Sequence, residues 1–323
     1  MELLPNFKLE RPRSIAEAVA AHSGTVRFLA GGTDLLAALR RGLVRADTVI
    51  DLGDVAELRG IRGTGQGLRI GAGTTLEQLA TDALLDDYPA LVEAALAIAG
   101  PTHRAAGTVG GNLCLDTRCQ FYNQSEPWRT ANNFCMKLDG DTCRVAPKAT
   151  RCYAAFSGDL APALIVHGAV AEIAGPAGVR QTPLAQVYAD DGIAYLTLAP
   201  GELLVAVHVP ASQGLRSGYD KVRTRGAIDF PLAGVAVALR YENNQLLELR
   251  VAVTGADSRP LLINGLDALC GIPLDDALAQ LDKLLRKQVG PMETAVTPAA
   301  YRRRVVPVLA RRVIGRLIAS GTE

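Results

Sequence analysis

Apolar positions recur along this chain at two periods, and the switches between them mark its elements. Residues 14–22 carry apolar side chains at helical spacing, with Ser14 placed as N-cap and Glu17 three positions later. The run 26–29 reads as a strand and enters Ala30-Gly-Gly-Thr-Asp34, after which 35–41 returns to helix and 48–52 to strand. A second unit begins at 68–70; Thr75 caps a helix through 77–80, and the Ala-rich stretch 89–99 is helical. Gly63-Thr-Gly-Gln-Gly67, between two short strands, predicts a hairpin turn. Strand character resumes at 194–198 and 203–209, where Pro210 stops it. Residues 219–223 follow, then 232–241 and 246–254 as an antiparallel pair around Glu242-Asn-Asn-Gln245. Helices over 274–287 and 298–320 close the chain, the second with a basic, solvated face of Arg302, Arg303, Arg304, Arg311, Arg312 and Arg316.

Residues 115–156 follow neither period. Its larger apolar side chains include Trp128, Phe134, Met136, Tyr153 and Phe156, but the stretch is mostly polar and turn-like, and it is read as too poor in apolar content to fold without an organising group. It holds Cys119, Cys135, Cys143 and Cys152, in the spacing Cys-x15-Cys-x7-Cys-x8-Cys. Converging thiolates select zinc or an iron–sulfur cluster. The spacing matches neither a short ferredoxin run nor a zinc ribbon, so cluster, structural zinc and buried thiols all stay open. Arg118, Arg144 and Arg151 each adjoin one of these cysteines and are expected to offset thiolate charge and to attract an acidic electron carrier. Cys114 and Cys270 are assigned to packing.

The remaining chemistry is sparse. His22, His103, His167 and His208 are scattered, and no nucleophile–base–orienter set appears. Two glycine turns stand out. Gly31-Gly32-Thr33-Asp34 joins a strand to a helix and is either a plain tight turn or a nest of amides for a diphosphate; it lacks the spacing of a Rossmann or P-loop site. Gly107-Thr-Val-Gly-Gly-Asn112 follows a helix. Two such turns from different subdomains suggest a cleft that clamps a diphosphate from both sides.

With 323 residues, 49% of them apolar, the chain is long enough for two or three domains. Its 34 basic and 33 acidic residues leave a formal charge of +1 and no electrostatic footprint for nucleic acid. No apolar run approaches the about 20 residues that span a bilayer, so no membrane partner is expected. The opening Met1-Glu-Leu-Leu-Pro-Asn6 lacks the basic and apolar regions of a secretory signal, and the expected location is cytoplasmic.

Five segments together carry a resemblance: Leu29-Ala-Gly-Gly-Thr-Asp-Leu35, Gly107-Thr-Val-Gly-Gly-Asn-Leu113, Ser157-Gly-Asp-Leu-Ala-Pro162, Glu202-Leu-Leu-Val-Ala-Val-His-Val-Pro210 and Tyr219-Asp-Lys-Val-Arg223. In this order they resemble the FAD-binding medium subunit of the molybdenum hydroxylase (xanthine dehydrogenase) family. The resemblance implies an α+β chain: a two-subdomain FAD-binding fold of the vanillyl-alcohol-oxidase type, then an α+β C-terminal domain. The implied boundaries are 1–56, then 57–212 with the cysteine insertion at about 115–156, then 213–323. Carried over, Leu29, Ala30, Gly31, Gly32, Thr33, Asp34 and Leu35 would line the FAD pyrophosphate. Thr108, Val109, Gly110, Gly111 and Asn112 would meet pyrophosphate and ribityl from the other side. Asp159 would bind a cofactor hydroxyl, Ile98 and Leu204 would make apolar contacts, and Lys221 would stand near the isoalloxazine with Asp229 at its polar edge.

Other members run almost directly from Gly-Gly-Asn-Leu to the segment matched here by Ser157–Pro162. The insertion resembles the 4-hydroxybenzoyl-CoA reductase branch, whose β subunit adds a [4Fe–4S] cluster, which makes the four cysteines its ligands. The resemblance then implies a ferredoxin donor, a [4Fe–4S] cluster and FAD on this chain, a small subunit with two [2Fe–2S] clusters, and a large molybdopterin subunit. There 4-hydroxybenzoyl-CoA would be dehydroxylated to benzoyl-CoA, in a dimer of heterotrimers, with no catalytic residue on this chain. Two alternatives remain: a subunit of an oxidising hydroxylase delivering electrons to NAD or a quinone, and a zinc-stabilised, non-catalytic scaffold.

Overall fold

The computed structural model describes residues 4–22 and 24–320, so Met1–Leu3 of the opening hexapeptide lie outside the described residues. Strands Lys8–Glu10, Thr48–Asp51 and Val26–Leu29 form a parallel sheet with Thr48–Asp51 at its centre. Parallel neighbours need crossovers, and the helices Ile15–Ala20 and Leu35–Arg40 provide them. Ser14 caps the first helix by accepting the Glu17 amide at 3.2 Å. The Glu17 carboxylate reaches back one residue further than a capping box requires, to the Arg13 amide at 2.8 Å.

A five-stranded antiparallel sheet comes next, in the order Ile61–Thr64, Gly67–Gly71, Leu203–Pro210, Val170–Gly175, Gly178–Pro183. The glycine-rich segment after Arg62 is the expected hairpin, closing at Thr64 opposite Gly67. Thr75 and Gln78 exchange hydrogen bonds in a full capping box at the start of Leu76–Thr81. The 194–198 strand expectation fails: the segment makes one isolated bridge, between Tyr188 and Leu196. The hairpin at 170–183 escaped the sequence pattern because its second strand is largely solvent-exposed. Within it Glu172 accepts Arg69 and the His208 ring, and Arg180 pairs with Glu202.

The last sheet runs Leu261–Leu262, Gln245–Thr254, Ala233–Glu242, Arg216–Val222. Its hairpin turns on Asn243 and Asn244, at φ 50° and 62°, the left-handed pair that a two-residue turn demands. Along Ala233–Glu242 large and small side chains alternate. Val235, Val237 and Leu239 pack with the helices Leu274–Gln288 and Ala299–Ala319. Ala236 and Ala238 face the other way and join the core around Leu91, Leu160 and Leu164. Small residues on that face let the helices Pro89–Ala97 and Leu160–Val166 approach closely, so the sheet is buried on both sides.

The basic face expected on the last helix needs one correction. Arg302 is 1% exposed and donates to the carbonyls of Leu232, Met292 and Gly255 and to Thr294 Oγ1. Arg311, Arg312 and Arg316 make surface ion pairs with Asp282, Asp220 and Glu93. Among the described residues no helix is long and apolar enough to cross a membrane.

Candidate functional site

The first glycine turn lies between strand Val26–Leu29 and helix Leu35–Arg40. Gly32 has φ +72°, a conformation glycine adopts without strain. Gly31 touches a second element: a Cβ there would sit 1.9 Å from the Ala106 carbonyl oxygen. The amides of Gly32, Thr33 and Asp34 donate no hydrogen bond within the described residues, which leaves them for an anion. Asp34 does not cap its helix; its carboxylate accepts Arg118 Nη2 at 2.6 Å. Burial holds the Asp34 carboxyl above its ordinary pKa, with Arg118 acting in the opposite direction.

The second glycine run differs from the expected open turn. Gly110 and Gly111 lie within a short helix, Val109–Leu113, capped by Thr108. The amides of Val109, Gly110 and Gly111 are already taken by Thr74 O, Ala72 O and Thr108 Oγ1. A Cβ on Gly110 would press to 2.8 Å from the Ala72 Cβ, so this glycine serves helix–sheet packing. The two runs are therefore not equivalent: the first offers amides and the second offers a close, smooth wall.

Between them opens a cleft of about 930 Å³, lined by Ala30, Gly31, Gly32, Thr33, Asp34, Leu35, Ile98, Thr108, Gly111, Asn112, Asp159 and Asp229. A second cleft of about 540 Å³, apolar through Val26, Val55, Leu58 and Leu204, also takes in Gly110 and meets the first at Gly31, Thr108 and Gly111. Two lobes joined at glycine turns suit a dinucleotide with its diphosphate at the junction. Leu29, Val109 and Lys221 line neither cleft. Leu29 packs beside Leu39 and Val49, and Val109 is buried in the main core. Lys221 stands behind Asp159, its Nζ 2.9 Å from Oδ1, while the Tyr219 hydroxyl donates to the same oxygen at 2.6 Å. Burial raises the Asp159 pKa; Lys221 and Tyr219 work against it. Asp116, Tyr122, Lys137 and Tyr195 also line the first cleft and escaped sequence reasoning, three of them as part of the insertion, and Arg118, expected only beside Cys119, lines it too.

The insertion places all four of its candidate ligands together. Cys119, Cys135, Cys143 and Cys152 are buried and line one small cavity. Backbone amides of Phe121 and Tyr122 point at the Cys119 sulfur, and Ala154 N donates to Cys152 Sγ at 3.4 Å. Burial pushes the Cys152 thiol up to about 11. Two glycines fit the wrapping: a Cβ on Gly192 would meet Cys152 Sγ at 2.8 Å, and one on Gly140 would meet the Cys135 amide nitrogen at 2.8 Å. Among the described residues no three His, Cys, Asp or Glu side chains are grouped to hold one metal ion. Cys114 lines both clefts, and burial pushes its thiol up to about 12.

The neighbouring arginines are each engaged within the chain. Arg118 is held by Asp34, Arg144 Nε donates to Phe134 O at 2.7 Å, and Arg151 donates to Asp190 O at 2.6 Å while stacking on Tyr153. They brace the loop.

Two family descriptions match nearly the whole chain: an FAD binding domain in molybdopterin dehydrogenase over residues 5–212, and a CO dehydrogenase flavoprotein C-terminal domain over 217–317. The carbon monoxide dehydrogenase medium chain of Afipia carboxidovorans is 29% identical over 318 residues, covering 96% of each chain. The aldehyde oxidoreductase FAD-binding subunit of Escherichia coli is 34% identical over 275 residues, 81% of this chain and 85% of that one. Among solved structures, reconstituted CO dehydrogenase from Oligotropha carboxidovorans superposes with a TM-score of 0.80 at 26% identity, covering 98% of this chain and 99% of that one. Quinoline 2-oxidoreductase from Pseudomonas putida shares the fold, with a TM-score of 0.78 at 21% identity over 99% of this chain and 100% of that one.

Proposed function

The chain belongs to the FAD-binding family of the molybdopterin dehydrogenases, and from that membership we propose that it is an electron-relay subunit holding FAD and a [4Fe–4S] cluster. The observation that carries the cluster is the cavity lined by Cys119, Cys135, Cys143 and Cys152. In this reading the free amides of Gly32, Thr33 and Asp34 take the diphosphate, the smooth wall at Thr108, Gly111 and Asn112 closes over it, and Leu204 borders the adenosine. Ile98, Asp159 and Asp229 border the ring half, with Lys221 and Tyr219 holding the Asp159 carboxylate in place. FAD supplies exchange between single and paired electrons, and the chain contributes binding and insulation from water. Partners are a large molybdopterin subunit and a small subunit with two [2Fe–2S] clusters, in a dimer of heterotrimers. A cytoplasmic setting fits free cysteines, since reducing compartments keep thiols reduced.

The reductive form of this proposal, with ferredoxin as donor and 4-hydroxybenzoyl-CoA reduced on the large subunit, is supported by the cysteine insertion. A second reading is favoured by the 34% identity with an aldehyde oxidoreductase subunit: electrons leave an oxidised substrate and exit through this chain to NAD or a quinone. Flavin, iron and acid-labile sulfide analysis of the native complex tests the relay, with one FAD and about four irons per chain expected; iron-free or zinc-loaded protein refutes it. Benzoyl-CoA formation from 4-hydroxybenzoyl-CoA and reduced ferredoxin supports the first direction. Aldehyde oxidation without that reaction supports the second.

A further inference from the structure

The nucleotide cleft and the four-cysteine cavity are neighbours, and among the described residues only Tyr122 and Lys137 line both. Both lie inside the insertion that carries the cysteines. Tyr122 is 2% exposed, and its hydroxyl reaches Leu43 O at 2.8 Å and Asp116 Oδ2 at 3.2 Å. The Lys137 side chain is 6% exposed. Its ammonium has three donors, and all three are engaged: Asp116 Oδ1 at 2.8 Å, Thr117 Oγ1 at 2.6 Å and Gly192 O at 2.6 Å. It also lies over the rings of Tyr122 and Tyr195, at 5.0 and 5.4 Å from their centroids. A lysine with every donor used and a ring on two sides has one position available.

Resting on the FAD-and-cluster reading above, we infer that Lys137 is a fixed cation shared by the two redox sites, one that makes the reduction potentials of both less negative. The physical ground is charge. Each site gains an electron on reduction, a buried positive charge beside it stabilises that state, and low-dielectric surroundings extend the reach of the effect. Every other charged side chain that lines them faces only one site, Arg118, Asp34 and Asp116 among those on the cleft and Arg144 on the cavity. Asp116 offsets Lys137 on the cleft side and does not line the cavity, so the influence of the lysine is larger at the cluster than at the flavin. Tyr122 is the partition that keeps the two sites separate and holds the lysine in register.

The test is a redox titration of the intact complex, following the flavin by its visible absorption and the cluster by electron paramagnetic resonance. Lys137→Met should move both midpoints to more negative potential, the cluster further than the flavin. Asp116→Asn keeps the shape of the pocket and should move the flavin midpoint the opposite way. In complexes with full flavin and iron, a Lys137→Met shift confined to one centre, or absent from both, overturns the shared role. If Lys137→Met does not assemble, Asp116→Asn decides alone, and an unmoved flavin midpoint overturns the inference. A native complex lacking iron refutes the cluster reading instead, so the two failures are told apart.

Discussion

Gly31 and Ala106 touch in the wall of the smaller, apolar cleft, with no room between them for a methyl group. A Cβ on Gly31 would stand 1.9 Å from the Ala106 carbonyl oxygen and 2.5 Å from its carbon, both backbone atoms that cannot swing away. Gly31→Ala should therefore push the turn from the helix Pro101–Ala106 and open the cleft. We expect loss of bound flavin and a stability loss of about 1–3 kcal/mol, the range for overpacking. Gly63→Ala, in open space with nothing within 4 Å, is the control and should retain both. Flavin absorbance per chain and a denaturant melt give the result; full flavin in Gly31→Ala would show that this contact does not shape the site.

Asp159 and Lys221 form a second tight pair, each side chain 4% exposed and 2.9 Å apart. Removing one member of such a pair strands the other charge in low dielectric, at a cost of about 3–5 kcal/mol. Lys221→Met should thus destabilise strongly, and adding Asp159→Asn should recover part of the loss because no carboxylate remains unpaired. A double-mutant cycle by chemical denaturation measures this. Additive losses would mean that the two side chains act independently.

How far the sequence revealed this site depends on how local each feature is. The strand–turn–helix at 26–40 and the Thr75–Gln78 cap were legible because their signals lie within a few residues. The four cysteines were legible as a group because they fall in one segment that follows neither the helical nor the strand period. The spent amides of Val109 and Gly110 were not, since their acceptors, Thr74 and Ala72, come from another segment. Arg302 looked like its basic neighbours on the same helix, and only the carbonyls of Leu232, Met292 and Gly255 distinguish it. Lys137 carries no motif; its place in the partition comes from how the insertion folds back onto the cleft.

The cysteines give a third expectation. Cys119→Ser, Cys135→Ser, Cys143→Ser and Cys152→Ser each remove a thiolate that lines the cavity and should lower iron per chain or convert the cluster. Cys270→Ser lies far along the chain beside Leu266 and should leave iron unchanged. Cys114→Ser, on the cleft side, should also keep iron and alter at most flavin retention. Iron and sulfide assays on all six variants decide the ligand set, and full iron in any of the first four removes that residue from it.

His167 supplies a pH dependence independent of any cofactor. It is 3% exposed, and its ring meets Tyr88 edge-on at 5.2 Å. Its Nε2 has no hydrogen-bond partner. Burial, with the Arg250 charge adding to it, pulls the imidazole from 6.5 down to about 4. Between those pH values the unfolded chain takes up a proton that the folded chain refuses. The stability tied to the neutral ring is therefore complete above the unfolded pKa of 6.5 and is lost as pH falls toward 4. Each pH unit in that window costs about 1.4 kcal/mol, or about 3 kcal/mol across it. His167→Phe removes the titration, so its unfolding free energy should fall less than that of the native chain on going from neutral to mildly acidic buffer. Urea denaturation of both proteins at the two pH values measures the difference. Equal losses in the two would place the acid sensitivity elsewhere, in carboxylates such as Glu172 whose pKa is lowered by Arg69.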